Sequence, residues 1–271
     1  ATPADVERIR ASLGLDRPFV VRFADWLWQV LNGNLGVSIF TNLPVTHMIA
    51  QRIEPTVSLM ILTLCLSLTC AIPLGVIAAW KHGTIWDRLV MMTAVFGFST
   101  PVFVVGYLLA YFFALYLDWL PVQGFTSITV GLLPFLRNLI LPATALGLVY
   151  MALIARITRA TMLEVLSQDY VRTAKAKGVG QRGVLFVHAL KNAAVPIVTI
   201  VGIGFAALIG GAVVTESVFA IPGLGRLTVD AILRRDYPVI QGVVLMFSFV
   251  YVVVNLTVDL LYTVFDPRIR Y

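Results

Sequence analysis

The chain has 271 residues, of which 59% are hydrophobic and only 13% charged, with a mean hydropathy of +0.91. A water-soluble domain needs about a quarter of its residues charged, so this composition excludes one, and the apolar excess has to face lipid. The formal net charge of +6 would suit nucleic acid or a membrane surface, and the placement of the basic residues decides between them.

Residues 1–55 hold no long apolar run and read as a region of short amphipathic helices on the outer side of a membrane. The opening "ATPADVERIRASLGLDRP" has Thr2-Pro3 followed by Asp5 and Glu7, the composition of a helix start, and closes on Asp16-Arg17-Pro18. "PFVVRFADWLWQVLNG" is a second amphipathic helix closed by Asn32-Gly33, and its Trp26 and Trp28 suit a membrane interface.

Five apolar runs follow, at about 56–80, 88–117, 139–160, 193–215 and 239–265. Each is near the roughly 20 residues that a spanning helix needs. Lipid leaves a backbone only the helix or the closed barrel, and alternation with period two is absent, so the runs predict an all-α membrane protein. Pro73 and Pro101 lie inside two runs and predict kinks. Gly202, Ala206 and Gly210 recur every four positions and predict a closely packed neighbouring helix. Cys65 and Cys70 have no Cys or His at metal spacing and read as ordinary core or lipid-facing residues. His47, His82 and His188 are scattered, so no metal site is proposed, and Ser99 has no nearby base to make it a nucleophile.

The connections set the topology. Lys81 and Arg88, then Arg156, Arg159, Arg172, Lys175, Lys177, Arg182 and Lys191, and finally Arg268 and Arg270 fall on one side. The alternate loops hold only Arg137, Arg226, Arg234 and Arg235, offset by Glu216, Asp230 and Asp236. The basic side is therefore expected to be cytoplasmic, with the C-terminus inside. Five crossings then put the polar N-terminal region outside with no signal peptide before it, and the chain starts on Ala1. A first transmembrane helix preceding this chain would resolve that.

"QDYVRTAKAKGVGQRG" at 168–183 contains a literal G-x-G-x-x-G at Gly178, Gly180 and Gly183. A dinucleotide fingerprint needs a strand before it, a helix after it and an acid further on, and none of that context is present. No G-x-x-x-x-G-K-[ST] occurs, so a P-loop is excluded as well. As a helix, 168–177 has Asp169 near its start and Lys175 and Lys177 near its end, in keeping with the helix dipole. Tyr170, Thr173, Ala174 and Lys177 share one face, and Ala174, Ala176 and Gly178 leave room for close approach. On spacing alone, a solvated basic loop and a docking helix for a cytoplasmic partner fit equally.

Further along, "FAIPGLGRLTVDAILRRDYP" has turns at Pro222-Gly223 and Gly225 and a short helix over 227–235, with Asp230 and Arg234 spaced to pair. Glu216, where the fourth span ends, either faces a pathway or caps a helix. Asp259 is an acid inside the last span, seven residues before Asp266 and near the cytoplasmic interface; it reads as a structural pair with a nearby arginine, and a functional role is the alternative. Phe98, Ser99, Thr100, Pro101 and Phe103 interrupt the second span at mid-depth, where transporters place binding or gating surfaces; a kink that only serves packing is the alternative.

"SQDYVRTAKAKG…HALKNAAVPIVT" resembles the cytoplasmic loop of permease subunits of bacterial ATP-binding-cassette importers in the dipeptide/oligopeptide/nickel branch. "GLDRPFVVRFADWLWQVLNGNLGVSI", "GAVVTESVFAIPGLGRLTVDAILRRDYPVIQ" and "NLTVDLLYTVFDPRIRY" extend the resemblance, in order, over nearly the whole chain. It implies the type I importer permease fold, with five transmembrane helices here over 56–271, a coupling loop at 160–192 and an external loop at 216–238. The family's E-A-A-x-x-x-G motif, aligned on Gly178, falls on Arg172, Thr173 and Ala174, so arginine replaces glutamate; the family's I-x-L-P tail is not clean, with "HALKN" in its place. The resemblance further implies that Asp169, Tyr170, Arg172, Thr173, Ala174, Lys175, Lys177 and Gly178 contact an ATPase subunit. It implies that Glu216, Pro222, Gly223, Gly225, Arg226, Asp230 and Arg234 form an outer gate or contact an extracytoplasmic binding protein.

The expected protein is thus a permease subunit, not itself an enzyme, in the bacterial inner membrane. Its expected partners are a second related permease, two ATPase subunits that hold the ATP and Mg, a binding protein and the bilayer, but no nucleic acid. Its expected cargo is di- or oligopeptides, with nickel or glutathione as alternatives. A self-sufficient carrier or channel would show more intramembrane charge, and an intramembrane enzyme would need converging catalytic groups that the spans lack.

Overall fold

The computed structural model describes residues 17–265 of the chain. The helix start read at Thr2-Pro3, and Asp266, Arg268 and Arg270, lie outside them. Among the described residues the regular structure is helical, apart from one isolated bridge between Val37 and Pro44.

Helix α1 is Phe19–Leu31, closed at Asn32 and Gly33 as the sequence predicts. Helix α2 is Val45–Trp80 and begins well before the apolar run at 56. Its first turns are amphipathic: Val45 and Ile49 pack against Leu224, Leu227, Val239 and Val243, so α2 passes from the polar end region into the span without a boundary. The second run is broken. Helix α3, Ile85–Ser99, and helix α4, Val102–Leu109 with a π-helical continuation over Ala110–Tyr116, meet at 104°. Pro101 supplies no N–H and restricts Thr100 to an extended backbone, which accounts for the break. Pro73, by contrast, sits inside an α2 that stays helical on both sides of it.

Helix α5 is Leu132–Leu166 and helix α6 is Asp169–Ala176. A π-helical turn, Gly183–Ala189, leads into helix α7, Leu190–Val218. Helix α8 is Leu224–Arg234 and helix α9 is Tyr237–Phe265. Among the described residues four helices are long and apolar enough to cross a membrane by themselves, and the bent α3–α4 pair makes a fifth.

The core is built around α5, whose most apolar window is 61% buried against 17% for that of α9. Leu139, Leu146, Tyr150 and Ile154 of α5 pack with Leu59 and Ala71 of α2 and Leu208 and Ala212 of α7. The backbones of α2 and α5 approach so closely at Gly75 that a Cβ there would stand 2.6 Å from the Cβ of Thr158. The Gly202–Ala206–Gly210 stripe does not act as one seam. Gly202 meets Val258 of α9, nothing lies near Gly210, and the tight contacts to α5 fall instead at Gly204 against Tyr150 and Gly211 against Leu146. A helix wedged between two neighbours needs small residues on both faces, and spacing by four reads only one. Cys65 and Cys70 are exposed on α2 and lie outside the core.

Candidate functional site

Three places hold the residues that the sequence singles out. The first is at the basic end. After α5 ends at Leu166, Ser167 and Gln168 turn the chain into α6, whose first turn holds Asp169 and whose last holds Lys175. Val171 and Ala174 are buried, fastening α6 beside Val184 and Leu185 of the π-helical turn. Gly178 has φ +80°, its N–H bonds the Lys175 carbonyl at 3.0 Å, and the Val179 N–H bonds the Ala174 carbonyl at 3.2 Å. That pair of bonds is a Schellman cap, which requires the left-handed position at 178 and explains the glycine there. The outward face is Arg172, Thr173, Lys175, Lys177 and part of Tyr170. Partial burial pushes the Tyr170 phenol above its ordinary value, so it is a neutral aromatic at any physiological pH. Arg172 reaches back to Asp169 at 3.2 Å, but both are well exposed, so the pair adds little. Ala174, placed on the open face by spacing, instead faces the protein's own interior.

The second place is the opposite end. Glu216 is fully buried and its carboxylate accepts from Thr56 Oγ1 at 2.5 Å and from the Arg226 N–H at 2.9 Å. Thr56 Oγ1 in turn accepts the Leu224 N–H at 2.8 Å. Glu216 therefore caps the N-terminus of α8 and ties it to α2. Gly225 leaves no room for a side chain, since a Cβ there would stand 2.6 Å from the Val213 Cα, and a Cβ at Gly223 would displace the Glu216 carboxylate. Pro222 is exposed, and Arg226 is half-buried at the start of α8. Asp230 and Arg234 do not form the expected ion pair among the described residues. Both are exposed, and they line one small open cleft with Arg52, Phe40 and Asp236. Asp236 is buried and holds the 37–44 hairpin, accepting from Ser38 Oγ at 2.5 Å and from the Ile39 N–H at 3.2 Å.

The third place is the break in the α3–α4 span. Phe98, Ser99, Pro101 and Phe103 are exposed and Thr100 is half-buried. Phe98 and Ser99 line a cavity of about 150 Å³ with Met91, Val95, Leu153 and Arg156. Asp259 lies in α9 with an exposed side chain.

Residues 71–271 match the family described as binding-protein-dependent transport system inner membrane component. The chain belongs to that family. Its relatives include a probable peptide ABC transporter permease protein of Sinorhizobium fredii, 55% identical over all of this chain and 87% of that protein. A glutathione transport system permease protein of Pectobacterium atrosepticum is 44% identical, and the dipeptide transport system permease protein of Escherichia coli is 38% identical, each over all of this chain and 86% of the relative. A chain of the MetNI methionine ABC transporter, in an inward-facing form, shares the fold with a TM-score of 0.67 at 15% identity, over 81% of this chain and 96% of that one.

For this inner membrane component, one cluster escapes a reading by spacing. Asp87, in the first turn of α3, is 4% exposed. It accepts from Arg159 Nε at 2.5 Å and Nη2 at 2.8 Å, and from the Gly83 N–H at 3.0 Å, with His82 Nδ1 also 3.0 Å away. Charge counting assigned Arg159 to the basic flank and left Asp87 without a role. The signal was an acid at the very start of an apolar run, where an unpaired carboxylate would be costly.

Proposed function

We propose that this chain is one half of the translocation unit of an ATP-driven peptide importer in a bacterial inner membrane. Its basic end and C-terminus face the cytoplasm. A second, related permease completes the pathway, two ATPase subunits that bind ATP and Mg dock at the basic end, and a binding protein delivers cargo to the opposite end. The observation that best supports the docking is α6. It is a short helix fastened by Val171 and Ala174, capped by Gly178, and joined to α5 by only Ser167 and Gln168, so that a push on it moves α5. Closure of the ATPases around ATP draws the two α6 helices together and opens the pathway outward, and hydrolysis returns it.

Peptides are the favoured cargo because relatives at 55% and 38% identity are named for peptide and dipeptide transport. Glutathione, itself a peptide derivative, is the second reading, favoured by the 44% identical relative. The experiment is Arg172→Glu with Lys175→Glu, both exposed and outside the packing of α6. The purified permease keeps its elution volume, the ATPase subunits no longer co-purify, and uptake of a labelled dipeptide falls at least tenfold. ATPase retention with unchanged uptake refutes the docking, and competition between dipeptide and glutathione separates the two cargoes.

A further inference from the structure

Arg156 does not point where a residue that only marked the basic flank would point. It lies four residues before the end of the apolar run at 160, about 6 Å along the helix axis, between Ala155 and Ile157. Such an arginine ordinarily stretches its stem toward the nearer headgroups. Here the guanidinium carbon lies 5.7 Å from the centre of the Phe98 ring, next to the break in the α3–α4 span. Helical side chains lean toward their own N-terminus. Because α3 and α5 run antiparallel, Arg156 and Phe98 lean toward each other, and the cation is held toward the break.

Arg159, one turn further on, is committed to Asp87, whereas no carboxylate comes within ion-pair distance of Arg156 among the described residues. The cavity beside it is about 150 Å³, with Ser99 at its edge. A water molecule needs only about 10–15 Å³ of such space, so a terminal carboxylate fits beside the cation.

We propose that Arg156, backed by Phe98 and flanked by Ser99, is an anion subsite in the translocation pathway that receives the terminal carboxylate of a peptide in transit. The proposal rests on the peptide reading above. The guanidinium offers two parallel N–H donors to a carboxylate, the ring face supports the cation while the site is empty, and the serine adds a further hydroxyl donor. An anionic lipid headgroup has the same chemistry, but it would reach the site from the bilayer and not from water.

The test uses Ser99→Cys in a chain with Cys65→Ser and Cys70→Ser, assembled in the complete transporter in proteoliposomes. The thiol is labelled with anionic 2-sulfonatoethyl or cationic 2-trimethylammonioethyl methanethiosulfonate. For charges about 6 Å apart, even in a fully aqueous dielectric, attraction of one reagent and repulsion of the other amount to a rate ratio of about tenfold. Arg156→Lys retains that preference and Arg156→Gln abolishes it. The peptide Ala-Ala-Ala slows the labelling, and its C-terminal amide does not. If neither charged reagent reacts, the position faces lipid and the proposal fails; it fails equally if the ratio is indifferent to Arg156, or if acid and amide protect alike. Uptake of Ala-Ala-Ala by the complex with Arg156 intact reports the peptide reading separately: no uptake refutes that reading, whereas uptake with a ratio indifferent to Arg156 refutes the subsite.

Discussion

The Asp87–Arg159 contact gives the sharpest expectation about how this molecule is held together. Asp87 has a 6% exposed side chain and Arg159 a 22% exposed one, and the two are joined by hydrogen bonds of 2.5 and 2.8 Å. Breaking one side of a buried pair costs about 3–5 kcal/mol, because the remaining charge is left without compensation. Asp87→Ala strands the guanidinium and frees the 81–84 turn, which loses the Gly83 bond as well. Arg159→Met strands the carboxylate. For a chain of this size 1 kcal/mol corresponds to about 2 °C in Tm, so each single variant should melt roughly 6–10 °C lower. The double variant leaves neither charge behind and should melt close to either single one, a coupling of at least about 2 kcal/mol. Tryptophan fluorescence during heating of the detergent-solubilised protein reads all four midpoints. Single shifts that simply add in the double variant would refute the pairing and reduce Arg159 to a flanking charge.

Two other expectations concern the ends of the molecule. Gly178→Ala places a side chain in the left-handed region at a cost of about 1–2 kcal/mol; far-ultraviolet dichroism should barely change, while limited proteolysis at Lys175 and Lys177 accelerates several-fold, and an unchanged cleavage rate would mean that the cap does not hold α6. Glu216→Ala leaves the Arg226 N–H and the Thr56 hydroxyl buried without their acceptor, about 1–3 kcal/mol for each, so hydrogen exchange over 222–227 should rise by at least tenfold, with Glu216→Gln intermediate because one acceptor oxygen survives; equal exchange in all three proteins would count against the cap.

The residue types made the spans legible because lipid permits so few backbone solutions. Run length located α2, the α3–α4 pair, α5, α7 and α9, and Pro101 marked the break, since an imino acid at mid-span removes a hydrogen bond whatever surrounds it. The size of that break was not legible, because Pro73 has the same local chemistry and its helix continues. What differs is the tertiary setting. The family motif at 172–178 pointed to α6, yet spacing could not say which face was free, since a helix of only 8 residues shows whichever side its neighbours leave open. Glu216, Asp87 and Asp236 share one blind spot. Each is buried against partners distant in sequence, Thr56, Arg159 and Ser38 respectively, and no local pattern announces those pairings.

On the docking proposed for α6, the buried Asp87 gives a route by which a movement there would reach the break in the α3–α4 span. A push at α6 must first move α5, because two residues join them and Val171 and Ala174 hold the helix down. Helix α5 spans 35 residues, roughly 52 Å at 1.5 Å per residue, and is the most buried of the spans, so it moves as a rod among close neighbours. At its basic end the Arg159–Asp87 contact obliges the start of α3 to follow. Ten residues further along α3, Gly97 runs against the Leu148 carbonyl of the same rod, where a Cβ would stand 3.2 Å away. Helix α3 is thus gripped near both ends, and the first joint free to bend lies beyond it, at Ser99–Thr100–Pro101. Helix α4 on the far side is gripped elsewhere: a Cβ at Gly106 would stand 3.2 Å from the Phe219 ring, at the top of α7. Two half-helices held by different neighbours, with a proline between them, will change their 104° angle when those neighbours shift relative to each other. The angle should therefore differ between nucleotide-free and ATP-bound complexes. Spin labels at Val95 and Leu108, both exposed, would read that change by pulsed dipolar spectroscopy, and a distance independent of nucleotide would place the hinge elsewhere.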